Sequence, residues 1–297
     1  TLAPLITLES ARAALAGVFF LYLALLLGGV LIRALRIPYN DSALERAAYS
    51  IILGLGAWGL IGFATAVLGM FTTAFLWAIA ALVLLFARRD VYAHLRALRV
   101  FCAADGTQNA KKYVLSSTGL KLLILVWLAT NAALIFVPLT GHDTLDYHYP
   151  IIEHIARNEG LGFGLELTPI PFFGEIIYAV PTTLFGEQFG KQSTLIQGPG
   201  EKGSEKNAIA GPFAFQLVQW STMPLLLIVL FAAARRHLRQ SFLPFLMVLL
   251  VLSLMDLWRE VFHGGYIDML AYLFGAASVL LLFTQTAAGR NHIFSSQ

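Results

Sequence analysis

Charged side chains are scarce in this chain: only 12% of its 297 residues are Asp, Glu, Lys or Arg, whereas 58% are hydrophobic. Soluble domains carry roughly 25% charged residues, so this composition excludes an ordinary soluble domain. Cysteine is nearly absent as well. The single cysteine, Cys102, excludes an intrachain disulfide framework and a metal cluster built from cysteines. The composition predicts a polytopic membrane protein.

Apolar runs with the length that crosses a bilayer, about 20 residues, recur along the chain. We expect seven membrane-spanning helices, approximately at Ala13–Ile32, Ala47–Met70, Thr72–Ala87, Leu120–Pro138, Ile209–Ala234, Phe242–Leu257 and Tyr266–Ala287. The first run is long enough to span and has no basic segment before it, so we expect a membrane helix there and no cleaved signal peptide. Strands are not expected, because an open sheet cannot satisfy its backbone in lipid. The predicted fold class is an all-α integral membrane protein.

The distribution of Lys and Arg predicts an orientation, because cytoplasmic loops carry an excess of positive charge. If the loop after the first span is cytoplasmic, the basic segment from Arg88 to Lys121 and the pair Arg235 and Arg236 lie on the same side. Most of the 20 basic residues then face the cytoplasm, and most of the 17 acidic residues face outward. Residues 139–208 become a large outer loop.

A short apolar segment within this outer loop, Phe172–Phe185, contains Glu175 and Pro181. If it crossed the membrane, Arg235 and Arg236 would lie outside. We therefore expect an interfacial helix that lies at, or dips into, the outer membrane surface. Two regions follow from this topology: 1–119, a three-helix membrane region with a cytoplasmic basic loop, and 120–297, a membrane core that carries the outer loop.

Ionisable side chains are concentrated in Gly141–Gly160, directly after an apolar helix. Ionisable groups at a membrane helix are costly and commonly mark a functional site. Pro150 suits the first turn of a helix, so we expect a helix that runs to about Asn158. Within it, Glu153 and Arg157 are spaced to form an ion pair.

A second polar cluster, Trp258–Asp268, precedes the last predicted span. It contains Arg259 and ends in a carboxylate, and the pair Gly264 and Gly265 permits a close backbone approach. Both polar clusters face the same side on the predicted topology. We therefore expect them to form one shared site.

These clusters carry a resemblance to a known family. Asp143–Pro150 (DTLDYHYP) resembles the motif D-x-L-x-Y-H-x-x-x-P that follows the leading membrane helices of bacterial GT-C glycosyltransferases, although Pro150 comes sooner than in that motif. Three later features resemble the same family. Pro171–Tyr178 (PFFGEIIY) resembles its P-x-x-G-E-x-x-Y segment, Arg235 and Arg236 end the following helix, and Gly265–Asp268 (GYID) resembles its a-Y-v-D element. Together the motifs cover about Leu120–Leu282.

The resemblance implies a GT-C-like core over 120–297 and a polyprenyl-phosphate sugar as the donor. Catalysis would take place at the outer, periplasmic face of the bacterial inner membrane. Asp143 matches the position of the base that takes a proton from the acceptor hydroxyl, and Asp268 is the second catalytic candidate. The substrate-binding candidates are Asp146, Tyr147, His148, Glu175, Arg259 and Tyr266.

Simpler interpretations of these candidates stay open. Asp143 can be a helix N-cap, and Asp146 can be the cap or take the role of the base. His148 can orient a carboxylate, bind phosphate, join a metal site or make an interfacial hydrogen bond. Glu175 can line the site or cap its own helix. Arg259 can hold the donor phosphate or pair with a neighbouring acid or a lipid headgroup.

No cofactor is specified by the sequence. Some GT-C enzymes use a divalent metal, but no ligand set here requires one, and the histidines lack tight zinc spacing. Anionic lipid headgroups account for the basic segment better than nucleic acid does. The expected partners are the lipid bilayer and the polyprenyl-phosphate sugar.

A transporter and a non-catalytic membrane subunit are the two alternatives to an enzyme. The predicted helix centres are almost free of charge, which argues against a transporter. Members of the resembled family continue through further helices after the seventh span, so we expect this chain to be an N-terminal portion or a shortened homologue. A non-catalytic membrane subunit of a larger complex, with a membrane-protein partner, therefore stays the alternative.

Overall fold

The computed structural model of the chain describes residues 8–37, 43–94, 148–159, 173–185, 214–237, 248 and 270–280. These residues form helices and short turns, and no strand occurs in these ranges, which confirms the all-α prediction for this part of the chain. Three helices are long and apolar enough to cross a membrane, over Ala11–Ala34, Glu45–Val67 and Ala214–Ala234. The predicted span Leu120–Pro138 and nearly all of Phe242–Leu257 lie outside the described residues.

Seven helices are labelled here in chain order. They are α1 (Leu8–Ala34), α2 (Ala43–Val67), α3 (Thr73–Phe86), α4 (Tyr149–His154), α5 (Phe173–Phe185), α6 (Ala214–His237) and α7 (Leu270–Leu280). A π-helical turn, Ile155–Glu159, continues α4, and residues 88–94 are helical after α3. The first, second, third, fifth and seventh predicted spans each overlap one of these helices, with ends that differ by one to seven residues.

α1 and α2 pack with their backbones in direct contact. Gly28 lies against the backbone of Ser50, and Gly54 lies against the backbone of Ala24, so a Cβ atom at either glycine would overlap those atoms. Small residues four apart on both helices permit this approach. Close packing of this kind is a principal source of helix association in a membrane, where lipid removes the hydrophobic drive.

A tight turn over residues 68–72 joins α2 to α3. Gly69 has a φ of 66°, in the left-handed region that favours glycine. The Thr72 side chain accepts a hydrogen bond from the Phe75 N–H at 3.3 Å and so caps α3. α3 therefore returns to the end of the bundle where α1 ends. There Arg33 makes two hydrogen bonds to the Asp90 carboxylate, of 2.8 and 2.7 Å.

α5 lies inside the bundle and is surrounded by other helices. Every residue from Glu175 to Leu184 is buried, and the helix contacts α1, α2, α3 and α6. α2 approaches it through Gly59 and Gly62, where a Cβ atom would press on side chains of α5 such as Phe173 and Ile176. The predicted helix is thus present, and the described helices bury it within protein.

Helices from both predicted regions share one apolar core. It includes Phe20 and Trp58 of the first region and Ile176, Val229 and Leu273 of the second. The predicted boundary at 119/120 lies outside the described residues. The described parts of the two regions therefore pack as one body.

The contact between α1 and α2 predicts that Gly28→Ala lowers stability by about 1–3 kcal/mol, because the added methyl group overlaps the Ser50 backbone and forces the helices apart. Thermal unfolding of the purified protein in detergent measures the change. Gly275→Ala is the matched control, since no atom of the described residues outside its own helix backbone lies within 4 Å of a Cβ at that position. Equal unfolding temperatures for Gly28→Ala and Gly275→Ala would contradict the close helix packing.

Candidate functional site

Two residues that the sequence analysis selected, His148 and Glu175, meet in the structure. Nδ1 of His148 lies 2.9 Å from Oε1 of Glu175, although the residues are 27 positions apart. The Glu175 side chain is 0% exposed and the His148 side chain 12% exposed. The described ends of the two motif segments, His148 of the first and Glu175 of the second, therefore meet in a carboxylate–imidazole hydrogen bond.

α4 holds His148 by packing one apolar side into the core. Pro150 occupies its first turn, as predicted. Glu153 and Arg157 form the predicted ion pair, with side chains 25% and 51% exposed, and pairs this exposed contribute little to stability. The buried residues of the α4 segment are Tyr149, Ile151, Ile152 and Ile155.

His148 stands at the N-terminal end of α4 but does not cap that helix. Its side chain makes no capping hydrogen bond to the first turn and contacts the carboxylate of Glu175 on α5 instead. The sequence left several roles open for this residue. The contact with Glu175 is the one that the first of these roles, orienting a carboxylate, requires, and the role itself stays a prediction.

Glu175 lies in the first turn of α5, where the positive end of the helix dipole favours a negative charge. Oε1 contacts the His148 ring. Oε2 is buried and has no hydrogen-bond partner within the described ranges. A buried carboxylate oxygen without a donor is costly, so we expect a water or a side chain outside the described residues to complete its hydrogen bonding.

The C-terminal end of α5 is held by two side chains of α3. The Thr73 hydroxyl donates to the carbonyl oxygen of Thr183 at 3.0 Å, and the indole Nε1 of Trp77 donates to that of Leu184 at 2.7 Å. The last carbonyl groups of a helix lack partners within the helix, so these bonds allow α5 to end inside the protein. They also fix the helix that carries Glu175.

A row of uncharged polar side chains on α6 was missed by the sequence analysis. Some of its hydroxyl groups bond within the helix: Ser221 donates to the carbonyl of Val218 and Thr222 to that of Gln219, both at 2.6 Å. Because these residues carry no charge, they barely interrupt the apolar run. The sequence feature that could have revealed them is their position in the turns just before a proline inside the helix, Pro224. The buried polar residues of α6 are Gln216, Gln219, Ser221 and Thr222.

The other candidate residues lie outside the described residues, and their roles stay predictions. They are Asp143, Asp146, Tyr147, Arg259, Tyr266 and Asp268. Within the described ranges, no group of three or more His, Cys, Asp or Glu side chains is arranged to hold a metal ion. The His148–Glu175 pair is therefore the part of the predicted site whose geometry is known.

α5, which carries Glu175, and the ion pair between Arg33 and Asp90 lie toward opposite ends of the bundle. α5 contacts the half of α2 that contains Gly59 and Gly62 and leads to the 68–72 turn. It also contacts the start of α3 through Thr73 and Trp77. The Arg33–Asp90 ion pair lies at the other ends of α1 and α3.

The described residues define a helical membrane protein with a carboxylate–imidazole pair buried among its helices. Comparisons with protein-family models, with curated proteins and with solved structures found no match to this chain. The likeness to GT-C glycosyltransferases thus depends on the quoted motifs alone, and it enters below as a proposal.

The hydrogen bond from Trp77 to the Leu184 carbonyl predicts that Trp77→Phe destabilises the protein by about 1 kcal/mol, because that carbonyl loses its donor. Amide hydrogen exchange should accelerate in the last turn of α5 and stay unchanged in the first turn of α2. Thr73→Ser keeps a hydroxyl group and serves as the control. Unchanged exchange in α5 of Trp77→Phe would show that this bond does not hold the helix.

Proposed function

We propose that this chain is a GT-C-type glycosyltransferase of the bacterial inner membrane. It transfers a sugar from a polyprenyl-phosphate donor to an acceptor hydroxyl at the outer face, with Asp143 as the base. The observation that carries the proposal is the hydrogen bond between His148 and Glu175. The two partners of this hydrogen bond lie in two separate segments, and each segment resembles a different motif of the family.

The cost of the pair favours a functional role over a purely structural one. Moving a carboxylate out of water is expensive, and a partner often does no more than offset that cost. An apolar pair of the same size would hold α4 against α5 at least as well. A non-catalytic subunit needs only apolar helix faces, so the presence of Glu175 and His148 in the core favours the enzyme over that alternative.

The location of the pair supports an outward-facing site. The basic residues at the ends of α1 and α3 mark the cytoplasmic end under the positive-inside rule. α5 contacts the opposite halves of the same helices. The site that contains His148 and Glu175 then opens toward the periplasm, where lipid-linked sugars serve as donors in the resembled family.

The reaction requires one proton acceptor and one group that stabilises the leaving phosphate. The Asp143 carboxylate takes the proton of the acceptor hydroxyl, and the acceptor oxygen forms a bond to the anomeric carbon. The bond from that carbon to the phosphate oxygen breaks, and the phosphate leaves with the electron pair. Arg259 is the candidate to stabilise its charge. Asp143 precedes His148 by five residues in the sequence, and His148 is bonded to α5 through Glu175.

The first test is sugar transfer in proteoliposomes. Asp143→Asn should lower the rate from a labelled polyprenyl-phosphate sugar by about 100-fold or more, because it removes the base. Glu153→Gln is the matched control: it changes a carboxylate in the following helix that pairs with Arg157, and it should retain the wild-type rate.

The transfer assay uses several sugar donors, each with and without a divalent metal. A folded wild-type protein that transfers no sugar under any of these conditions would refute the enzyme. Full activity in Asp143→Asn would refute the assignment of Asp143 as the base, and Asp146 would become the next candidate.

The proposed orientation is tested with the native cysteine. Cys102 is the single cysteine of the chain and lies in the loop predicted to be cytoplasmic. A membrane-impermeant maleimide should label it only after intact cells are permeabilised. In the control, Glu201→Cys in a Cys102→Ser background should be labelled without permeabilisation, since residue 201 lies in the predicted outer loop. Labelling of Cys102 in intact cells, with protection of Glu201→Cys, would show that the topology is the reverse of the proposed one.

A further inference from the structure

We propose that Glu175 affects the reaction through His148: the carboxylate fixes the imidazole ring, and the ring contacts the substrate. This inference rests on the function proposed above and divides two roles that the sequence analysis had grouped together. Glu175 is the positioning residue. His148 is the substrate-contacting residue.

The two side chains differ in access. Glu175 is 0% exposed, whereas the side chain of His148 is 12% exposed. A substrate can reach the exposed part of the His148 side chain without separating α5 from the helices around it. To reach the carboxylate, it would have to separate α5 from helices that bury all residues from Glu175 to Leu184. Direct contact with substrate is therefore assigned to His148.

The helices that hold Glu175 and His148 in place also fit these two roles. α5 packs against Gly59 and Gly62 of α2, and α3 bonds to its last carbonyl groups. A group that orients another one must itself be held by a rigid element, and Glu175 meets this condition. His148 stands at the junction between α4 and the preceding segment, which carries the proposed base.

The hydrogen bond determines which way the ring faces. An ionised carboxylate can only accept hydrogen bonds. With Glu175 ionised, Nδ1 of His148 donates to Oε1 across 2.9 Å. This contact selects the tautomer protonated at Nδ1 and sets the direction of Nε2. A buried carboxylate that orients a histidine divides the work in the same way in serine hydrolases.

The kinetic test compares Glu175→Gln, His148→Gln and the double variant in the transfer assay. Each single change should lower kcat/KM by about 100-fold, since a misdirected ring loses its alignment with the substrate. The double variant should be no slower than His148→Gln, because Glu175 has no ring left to orient. Glu175→Asp keeps an acceptor and should recover part of the activity that Glu175→Gln loses.

A spectroscopic test reads the ring without any need for activity. Nitrogen-15 spectra of histidine-labelled protein in lipid report the tautomer of each of the seven histidines, and His148→Gln identifies the signal of His148. The wild type should show the tautomer protonated at Nδ1. Glu175→Gln should shift this signal toward the other tautomer, because an amide can also donate to Nδ1. Glu153→Gln should leave it unchanged.

The outcomes separate this inference from the proposed function. Additive losses in the double variant, or an unchanged His148 signal in folded Glu175→Gln, overturn the positioning role even in an active enzyme. If the wild type transfers no sugar, the proposed function fails and the contact of His148 with substrate fails with it. The spectra then still decide whether Glu175 fixes the ring.

Discussion

A carboxylate enclosed by membrane helices is the constraint on which the described structure depends. Glu175 has no exposed surface, and an isolated ionised group in such a medium is far too costly to tolerate. The His148 ring lies within hydrogen-bonding distance, and the dipole at the start of α5 adds a favourable field. α4 and α5 must therefore stay in register, since a displacement of either one would leave a buried carboxyl group without its partner.

The packing of the other helices makes this register possible. Gly28 and Gly54 bring α1 and α2 into backbone contact, and Gly59 and Gly62 leave room for α5 against α2. α3 completes the arrangement by bonding to the last carbonyl groups of α5. In this bundle, small residues at the helix contacts therefore determine how closely the helices approach one another.

Features that depend on local spacing were predictable from the sequence. Pro150 indicated the start of α4, the i,i+4 spacing of Glu153 and Arg157 predicted their ion pair, and apolar length predicted the three described helices that are long enough to cross a membrane. The contact between His148 and Glu175 was not predictable, because it joins residues 27 apart through tertiary packing. Local pattern also cannot distinguish a short apolar helix at a membrane surface from one buried in protein, which is why the surroundings of α5 had to come from the structure.

The central claim is that the buried pair marks the place where a lipid-linked sugar binds. Photo-crosslinking with a diazirine analogue of a polyprenyl-phosphate sugar, followed by peptide mapping, tests this most directly. The account predicts crosslinks in the peptide that contains His148, competed away by the unmodified donor. Crosslinks confined to the exposed faces of α1 and α3, and insensitive to that competitor, would contradict it, because they would show lipid contact without a donor site.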